Sequence, residues 1–259
     1  MTAGSRAWAN VAVPKKKESL GVALVGLGYY STDLLAPALQ LTAQCHLAGV
    51  VSGTPDKLKT WQQRHRLPDA GLYNYGNFDT IASNPAIDVV YIVLPPSMHA
   101  EYTIRAAKAG KHVWCEKPMA PSVRDCEAMI QACRDNGVTL AIGYRMHHEP
   151  NTRRIIQFRR EEKYGKVVSA TAEAGYFDPR KNHWKQKKAM GGGVMGDMGV
   201  YPLNATVPNQ QARQMDDDAA AILHGTPLLA PGEEGLKDTI VVEAIYRSVA
   251  AGGQKVAIG

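Results

Sequence analysis

From Leu20 onward the chain alternates short, wholly apolar runs with longer stretches in which apolar residues recur every three to four positions. The first pattern marks strands buried on both faces, the second amphipathic helices. Leu20–Val25 reads as a first strand, followed by a glycine turn and a helix through about Ala43. Leu47–Val51 is the second strand, and Pro55 opens a helix that runs to about His65. Asn77–Ser83 reads as a short helix, and Asp88–Leu94 is the most strand-like run, stopped by Pro95 and Pro96. Ser97 is placed to cap the next helix, with Glu101 in its first turn and Gly110 as its terminator. His112–Cys115 is a strand, Val123–Asn136 a helix closed by Gly137, and Val138–Ile142 the last strand of the series. Five helix-linked strands in this order predict an α/β fold, a doubly wound parallel sheet of the Rossmann type.

After Tyr144 the regularity weakens. Pro150–Glu162 is helical in pattern, Lys166–Tyr176 alternates like a strand, and Phe177–Gly193 is a basic loop that ends in glycines. Helices are expected to begin at Asp197 (to Asn204), Gln210 (to Leu223) and Glu233 (to Ala250). The expected organisation is an N-terminal arm (1–19), a nucleotide-binding domain (20–144), and a reduced α+β substrate or oligomerisation part (145–259).

Composition narrows the class. With 45% hydrophobic and 21% charged residues the 259-residue chain matches ordinary globular proteins. No apolar run reaches the roughly twenty residues of a membrane span. The arm has no continuous apolar stretch ahead of Lys15–Lys17, so it does not read as a secretory leader, and a cytoplasmic location is expected. The net charge of +6 is concentrated: residues 141–190 hold twelve basic and five acidic side chains, a local balance of +7. No nucleic-acid recognition motif accompanies that charge, so it is read as the rim of an anion-binding cleft or a face that once met more protein. Cys45, Cys115, Cys126 and Cys133 form no C-x-x-C pair, and Cys126 and Cys133 share a helix face, as buried thiols would. His147 and His148, with only Glu149 beside them, make a poor metal set, and no metal is expected.

Candidate chemistry begins at Gly26-Leu27-Gly28-Tyr29-Tyr30-Ser31, a G-x-G-x-x-S turn directly after a strand and before a helix. Gly26 permits the turn, Gly28 lets backbone N–H groups approach a pyrophosphate, and Ser31 is small enough for the helix to pack on the strand. The second strand ends Val51-Ser52-Gly53-Thr54 without the carboxylate that usually holds the ribose of NAD, and Lys57 follows. Small hydroxyls and a lysine suit a 2′-phosphate, which predicts NADP, although Lys57 also fits a solvated helix position. At the carboxyl end of the fifth strand Glu116-Lys117-Pro118 places a lysine where proton transfer at a nicotinamide ring would occur.

In context these segments carry a resemblance. Pro95-Pro96-Ser97-Met98-His99, Lys111 to Ala120 (KHVWCEKPMA), Gly143-Tyr144-Arg145-Met146-His147, Gly191 to Asn204 (GGGVMGDMGVYPLN) and Pro231-Gly232-Glu233-Glu234-Gly235 stand in the order of the Gfo/Idh/MocA oxidoreductases. They are most similar to the glucose-fructose oxidoreductase branch, where a tyrosine stands at the position of Tyr201 and much of the wider family has histidine. The resemblance implies that Lys117, Asp197 and Tyr201 form the catalytic set, acting on a sugar as hydride moves to or from the nicotinamide. With the turn and strand ends it gives a cofactor site of Gly26, Gly28, Tyr29, Tyr30, Ser31, Ser52, Gly53, Lys57, Pro95, His99, Glu116, Lys117 and Arg145, with Arg145 a candidate for binding substrate or Glu116. It also implies a homo-oligomer, in which the arm with Trp8 either wraps a neighbouring subunit or stays disordered.

The family pattern breaks between Thr206 and Val207, where the segment carrying most of an antiparallel sheet has no counterpart. Two functions are therefore expected from the sequence: an NADP-dependent sugar oxidoreductase, or a catalytically weak NADP-binding or dimerisation module.

Overall fold

The computed structural model describes residues 17–166, 168, 179–194 and 210–258. The predicted strand at 166–176, the predicted helix at 197–204, Asp197, Tyr201 and the arm up to residue 16 lie wholly or mostly outside the described residues.

Six parallel strands form one sheet: β1 (Leu20–Val25), β2 (Cys45–Val51), β3 (Leu72–Tyr73), β4 (Val89–Ile92), β5 (His112–Cys115) and β6 (Leu140–Ile142). Their spatial order is β3-β2-β1-β4-β5-β6, the doubly wound order that the alternating pattern predicts. β3 has only two residues, too few to leave a periodic trace, and the sequence reading misses it. Successive strand residues face opposite sides. Ala23, Val25, Val90, Ile92, Val113 and Cys115 enter one core layer, while Val22, Leu24, Val89, Tyr91 and Trp114 enter the other. Burial on both faces is why these runs are apolar throughout.

The crossovers are α1 (Ala36–Leu39, preceded by a π-helical stretch Tyr30–Leu35), α2 (Pro55–His65), α3 (His99–Lys108) and α4 (Val123–Asp135). The first of these departs from expectation. Pro37 offers no N–H, and its ring would press on the carbonyl four residues back, so the backbone widens and Ala36 bonds to Ser31 O instead. The helix stops at Leu39, short of Ala43, where the Thr42 hydroxyl donates to Leu39 O at 2.7 Å. Ser97 does not cap α3, because a 3-10 turn over Pro96–Met98 precedes it and His99 is the first helical residue. Ser122 does cap α4, accepting Asp125 N–H at 3.1 Å. All four cysteines are free and buried, as expected.

Beyond β6 lie a 3-10 turn (Arg145–His148) and α5 (Pro150–Arg160), then α6 (Gln210–His224) and α7 (Gly232–Ala250). The last two helices complete the layers on either side of the sheet. Ala212, Met215 and Ala219 of α6 join the core of β1, β4 and β5, and Asp216 accepts N–H groups from Ala43 and Gln44 at 2.9–3.2 Å. On the other face Ala230 O accepts Ile142 N–H at 2.8 Å, and Glu243 of α7 accepts Val123 N–H at 2.8 Å at the start of α4. Gly235 sits where an added Cβ would fall 2.8 Å from the Met119 side chain, so α7 packs on the loop after β5 with no room for a larger residue. No helix among the described residues is long and apolar enough to cross a membrane.

One buried acid opposes this packing. Asp218 of α6 is 1% exposed, and burial, reinforced by the neighbouring Asp217 charge, holds its carboxyl well above the usual range despite the amide of Gln214. An acid raised in the folded state carries no penalty below its ordinary pKa and a growing one as pH rises. Asp218→Asn is therefore expected to stabilise the protein at pH 8 by about 1–3 kcal/mol. The gain should shrink as pH falls toward 4. Calorimetric melting of both proteins across that range checks this, and a wild type more stable than the variant at pH 8 would contradict it.

Candidate active site

The carboxyl ends of β1, β2, β4 and β5 open onto one cleft of about 640 Å³. Its floor is the glycine turn. Gly26 donates its N–H to Val51 O at 3.0 Å and has φ +95, a conformation that side chains disfavour. An added Cβ would lie 2.4 Å from Val93 O, so glycine is required there by both backbone and space. Gly28 is different: nothing lies within 4 Å of where its Cβ would stand. Protein packing does not demand glycine at 28, and the vacant position opens on the cleft, where a bulky ligand group gains close approach to the backbone.

Ten of the predicted cofactor residues line this cleft together: Gly26, Gly28, Tyr29, Tyr30, Ser52, Gly53, Lys57, Pro95, Glu116 and Lys117. Ser52 is buried and its hydroxyl accepts Thr54 N–H at 3.2 Å, which shapes the loop after β2. Lys57 reaches back from α2 to Leu27 O at 3.2 Å, so it faces the glycine turn and is not a purely solvated helix residue. Asp56 is not among the lining residues, and three lysines (Lys57, Lys117 and Lys185) face one carboxylate, Glu116. That charge balance, with the open Gly28 position, fits an anionic dinucleotide.

Three of the predicted residues do not line the cleft, two of them in places the sequence allowed: Ser31 packed under the helix and Arg145 acting on Glu116. Ser31 is fully buried and turns its hydroxyl inward to Gly26 O at 2.6 Å, so it locks the turn and does not face the ligand. His99 does not line the cleft. It is fully buried at the start of α3, with Nε2 2.7 Å from Leu94 O and Nδ1 3.0 Å from Pro118 O, and it ties together the loops that follow β4 and β5. Burial pushes its imidazole pKa down, although those carbonyls favour a proton. Arg145 also stands off the lining, and its charge acts on Glu116.

Glu116 is 8% exposed. Its Oε1 accepts the Tyr91 hydroxyl at 2.8 Å and its Oε2 the Lys117 backbone N–H at 3.3 Å. Burial pushes the carboxyl above its ordinary range, while the Tyr91 hydrogen bond and the charges of Lys117 and Arg145 pull it back down. Lys117, half-buried and joined to Pro118 by a cis peptide bond, faces the cleft beside it.

Thr54, whose hydroxyl the sequence counted toward the 2′-phosphate, also lines the cleft, while sequence reasoning missed Tyr75 and the wall formed by His183, Trp184 and Lys185. The Tyr75 ring lies about 3.0 Å from where a Cβ on Gly53 would stand. The wall belongs to the basic loop. Gly193 N–H bonds to Lys185 O at 2.8 Å, and Gly191, at φ +75, would bring a Cβ within 2.7 Å of Pro96. The run of three glycines thus folds the loop back over the cleft, and the local excess of positive charge was the available signal.

Comparison with known proteins agrees with this geometry. Residues 20–144 match the family model described as "Oxidoreductase family, NAD-binding Rossmann fold" of the GFO/IDH/MocA group, and residues 152–208 match its C-terminal domain. The chain is 30% identical to D-xylose 1-dehydrogenase [NADP(+)] of Haloarcula marismortui over 189 residues, 71% of this chain and 52% of that protein. Its structure is similar to that of aldose-aldose oxidoreductase from Caulobacter crescentus complexed with glycerol, with TM-score 0.86 and 30% identity over 90% of this chain and 98% of the other. A 3-ketoreductase from Actinomadura kijaniata in complex with NADP and TDP-benzene aligns with TM-score 0.63 and 25% identity, over 71% of this chain and 55% of that one. The chain spans about half the length of the curated relatives it matches. By sequence match and by a near-complete structural match at 30% identity, the chain belongs to the Gfo/Idh/MocA oxidoreductase family, with a nucleotide-binding Rossmann sheet.

Proposed function

We propose that the protein is an NADP-dependent oxidoreductase that moves hydride between the nicotinamide and a carbon of a sugar, an aldose or polyol. The observation that carries this reading is one cleft with an open glycine position and Lys57 on its nucleotide side and the Glu116–Lys117 pair at the end of β5. The named relatives support the sugar class, since they include a xylose dehydrogenase and an aldose-aldose oxidoreductase.

Each residue then has a stated task. Gly26 and Gly28 bring backbone N–H groups to the pyrophosphate. Ser52, Thr54 and Lys57 hold the 2′-phosphate, where a carboxylate would repel it. When bound, the nicotinamide accepts or supplies the hydride. As a sugar C–H bond breaks with its electron pair, the hydroxyl proton passes to a base, and Tyr201 assisted by Lys117 is assigned that role, with Asp197 binding a sugar hydroxyl. Tyr201 and Asp197 rest on the family resemblance. A homo-oligomeric state is part of the same reading.

One observation favours a second reading, an NADP-binding module with weak catalysis: the chain covers only about half of its curated relatives. Mass spectrometry of the purified protein for bound nucleotide, followed by nicotinamide absorbance with a panel of aldoses, separates the two. Turnover supports the enzyme, and nucleotide without turnover supports the module.

The enzyme reading yields three expectations. Lys117→Ala and Tyr201→Phe should each lower kcat by about 10²–10⁴-fold, with NADPH affinity by fluorescence titration nearly unchanged. Normal rates in both would remove the site assignment. Ser52→Asp should shift the ratio of kcat/KM values from NADP toward NAD, and an unchanged ratio would refute the 2′-phosphate argument. Gly28→Val should weaken NADPH binding by about tenfold or more, a cost of about 1.4 kcal/mol, while leaving the melting temperature close to wild type. Gly26→Ala should instead lower stability by about 1–3 kcal/mol. Equal loss of stability in both variants would mean that Gly28 serves packing.

A further inference from the structure

We propose that Gln214, on α6, is a positioning residue for the cleft: through Tyr91 it sets the direction of hydrogen bonding at Glu116 and so keeps that side chain a carboxylate beside Lys117. The inference rests on the reading of Glu116 and Lys117 as part of the active cleft. It adds to that reading a residue nearly a hundred positions further along the chain.

The three side chains form a buried line. Gln214 and Tyr91 are each 1% exposed and Glu116 is 8% exposed. The Gln214 amide nitrogen Nε2 donates to the Tyr91 hydroxyl oxygen at 3.3 Å, and that hydroxyl donates to Glu116 Oε1 at 2.8 Å. A phenol carries one proton, and an amide N–H can only donate. With the amide nitrogen toward Tyr91, the phenol proton has one remaining direction, toward Glu116. The Glu116 oxygen must then accept, which an ionised carboxylate does best.

Turning the amide over gives the reverse chain. The Gln214 carbonyl would take the phenol proton, the phenol oxygen would face Glu116, and Glu116 would need its own proton to complete the line. Two self-consistent arrangements therefore exist, and they differ by one proton on Glu116. The arrangement with the amide nitrogen toward Tyr91, at 3.3 Å, is the one that calls for a carboxylate. Burial works against that charge, while Lys117 and Arg145 support it. Tyr30 acts on the Tyr91 end, and Asp218 lies beside Gln214 one turn further along α6. Because burial outweighs the opposing charges of Lys117 and Arg145, the direction of a single hydrogen bond carries weight.

The helix that holds Gln214 is itself fixed. Asp216 binds the backbone of Ala43 and Gln44, and Asp217 pairs with His148 Nδ1 at 2.8 Å and with Arg153 at 2.5 Å. Gln214 is thus presented to Tyr91 from a braced element.

The test reads Glu116 directly, in the full chain without nucleotide. Infrared difference spectra between a protein and its Glu116→Gln counterpart isolate the Glu116 carboxyl band, and a pH titration of that band gives its midpoint. Gln214→Leu is expected to raise the midpoint by about one pH unit, the worth of a supported hydrogen bond to a charged group. Tyr91→Phe should raise it at least as far. Adding Gln214→Leu to Tyr91→Phe should change nothing more, because the influence of Gln214 passes through the phenol. An unchanged midpoint in Gln214→Leu, or two shifts that add, would overturn the proposal. If Gln214→Leu does not fold, Gln214→Met offers a closer apolar match in volume for the same measurement. NADPH titration of the wild type tests the cofactor reading separately, so failure of one is distinguishable from failure of the other.

Discussion

The meeting of three strand ends at Gly26 is the constraint on which the cleft depends. Its N–H is bonded to the end of β2, and its missing side chain leaves room for the carbonyl of Val93 just beyond β4. Any Cβ there would push β1 and β4 apart at the edge where ligands of such sheets bind. Ser31 then fastens the turn by a buried hydrogen bond to the Gly26 carbonyl. The open space at Gly28 exists because Gly26 brings the chain round so tightly. The two glycines of one motif thus serve different ends, one internal to the protein and one directed outward.

The sheet transmits that constraint through residues packed on both faces. Tyr91 illustrates the economy of a strand position: its ring packs edge-on against Trp114 at 5.7 Å in one core layer, while its hydroxyl reaches Glu116. Large buried aromatics usually need a partner for their polar atom, and here the partners are Glu116 just past β5 and Gln214 on α6. Burial of a carboxylate next to a lysine becomes tolerable because the Tyr91 hydroxyl and the Lys117 backbone N–H donate to it. On the opposite face His99 performs a comparable service between two loops, holding the Leu94 backbone to that of Pro118 and Met119. The cleft walls are therefore joined beneath the surface by side chains that need not touch a ligand.

Most of the sheet was legible in the sequence because every strand but one is an apolar run between helical periods. β3 was not, since two residues carry no periodicity and its pairing with β2 depends on where neighbouring loops place it. The break of the first helix was written in Pro37, which falls inside the predicted helix and withholds one of its N–H groups. Ten of the thirteen proposed cofactor residues converge, nine of them in the glycine turn or just past a strand end and Lys57 by reaching back from α2. His99 lies off the lining because motif position does not reveal whether a polar side chain turns inward, whereas Ser31 keeps the packing place between helix and strand that its small size suggested. The wall of His183, Trp184 and Lys185 comes from a loop whose course is set by glycines and backbone hydrogen bonds. A local charge count could point to such a loop without naming its residues.

The supports of the nucleotide side and of the assigned chemistry are separable. Gly26, Ser52, Lys57 and Glu116 are held by contacts among β1, β2, β4, β5, α2 and α6. Proton transfer in the proposed reaction additionally requires Tyr201 and Asp197, which belong to the segment matched by the C-terminal family model. Binding energy can thus be present without a competent proton path, since the first depends on charge and backbone geometry and the second on placing one more acid within reach. The C-terminal helices bear on both requirements. α6 and α7 share the core layers of the sheet, and α6 carries the amide that orients the hydroxyl bonded to Glu116. A substitution at Gln214 would act on the Glu116–Lys117 pair through Tyr91, whereas one at Asp216 would act on the segment that enters β2, so a single helix braces both sides of the cleft.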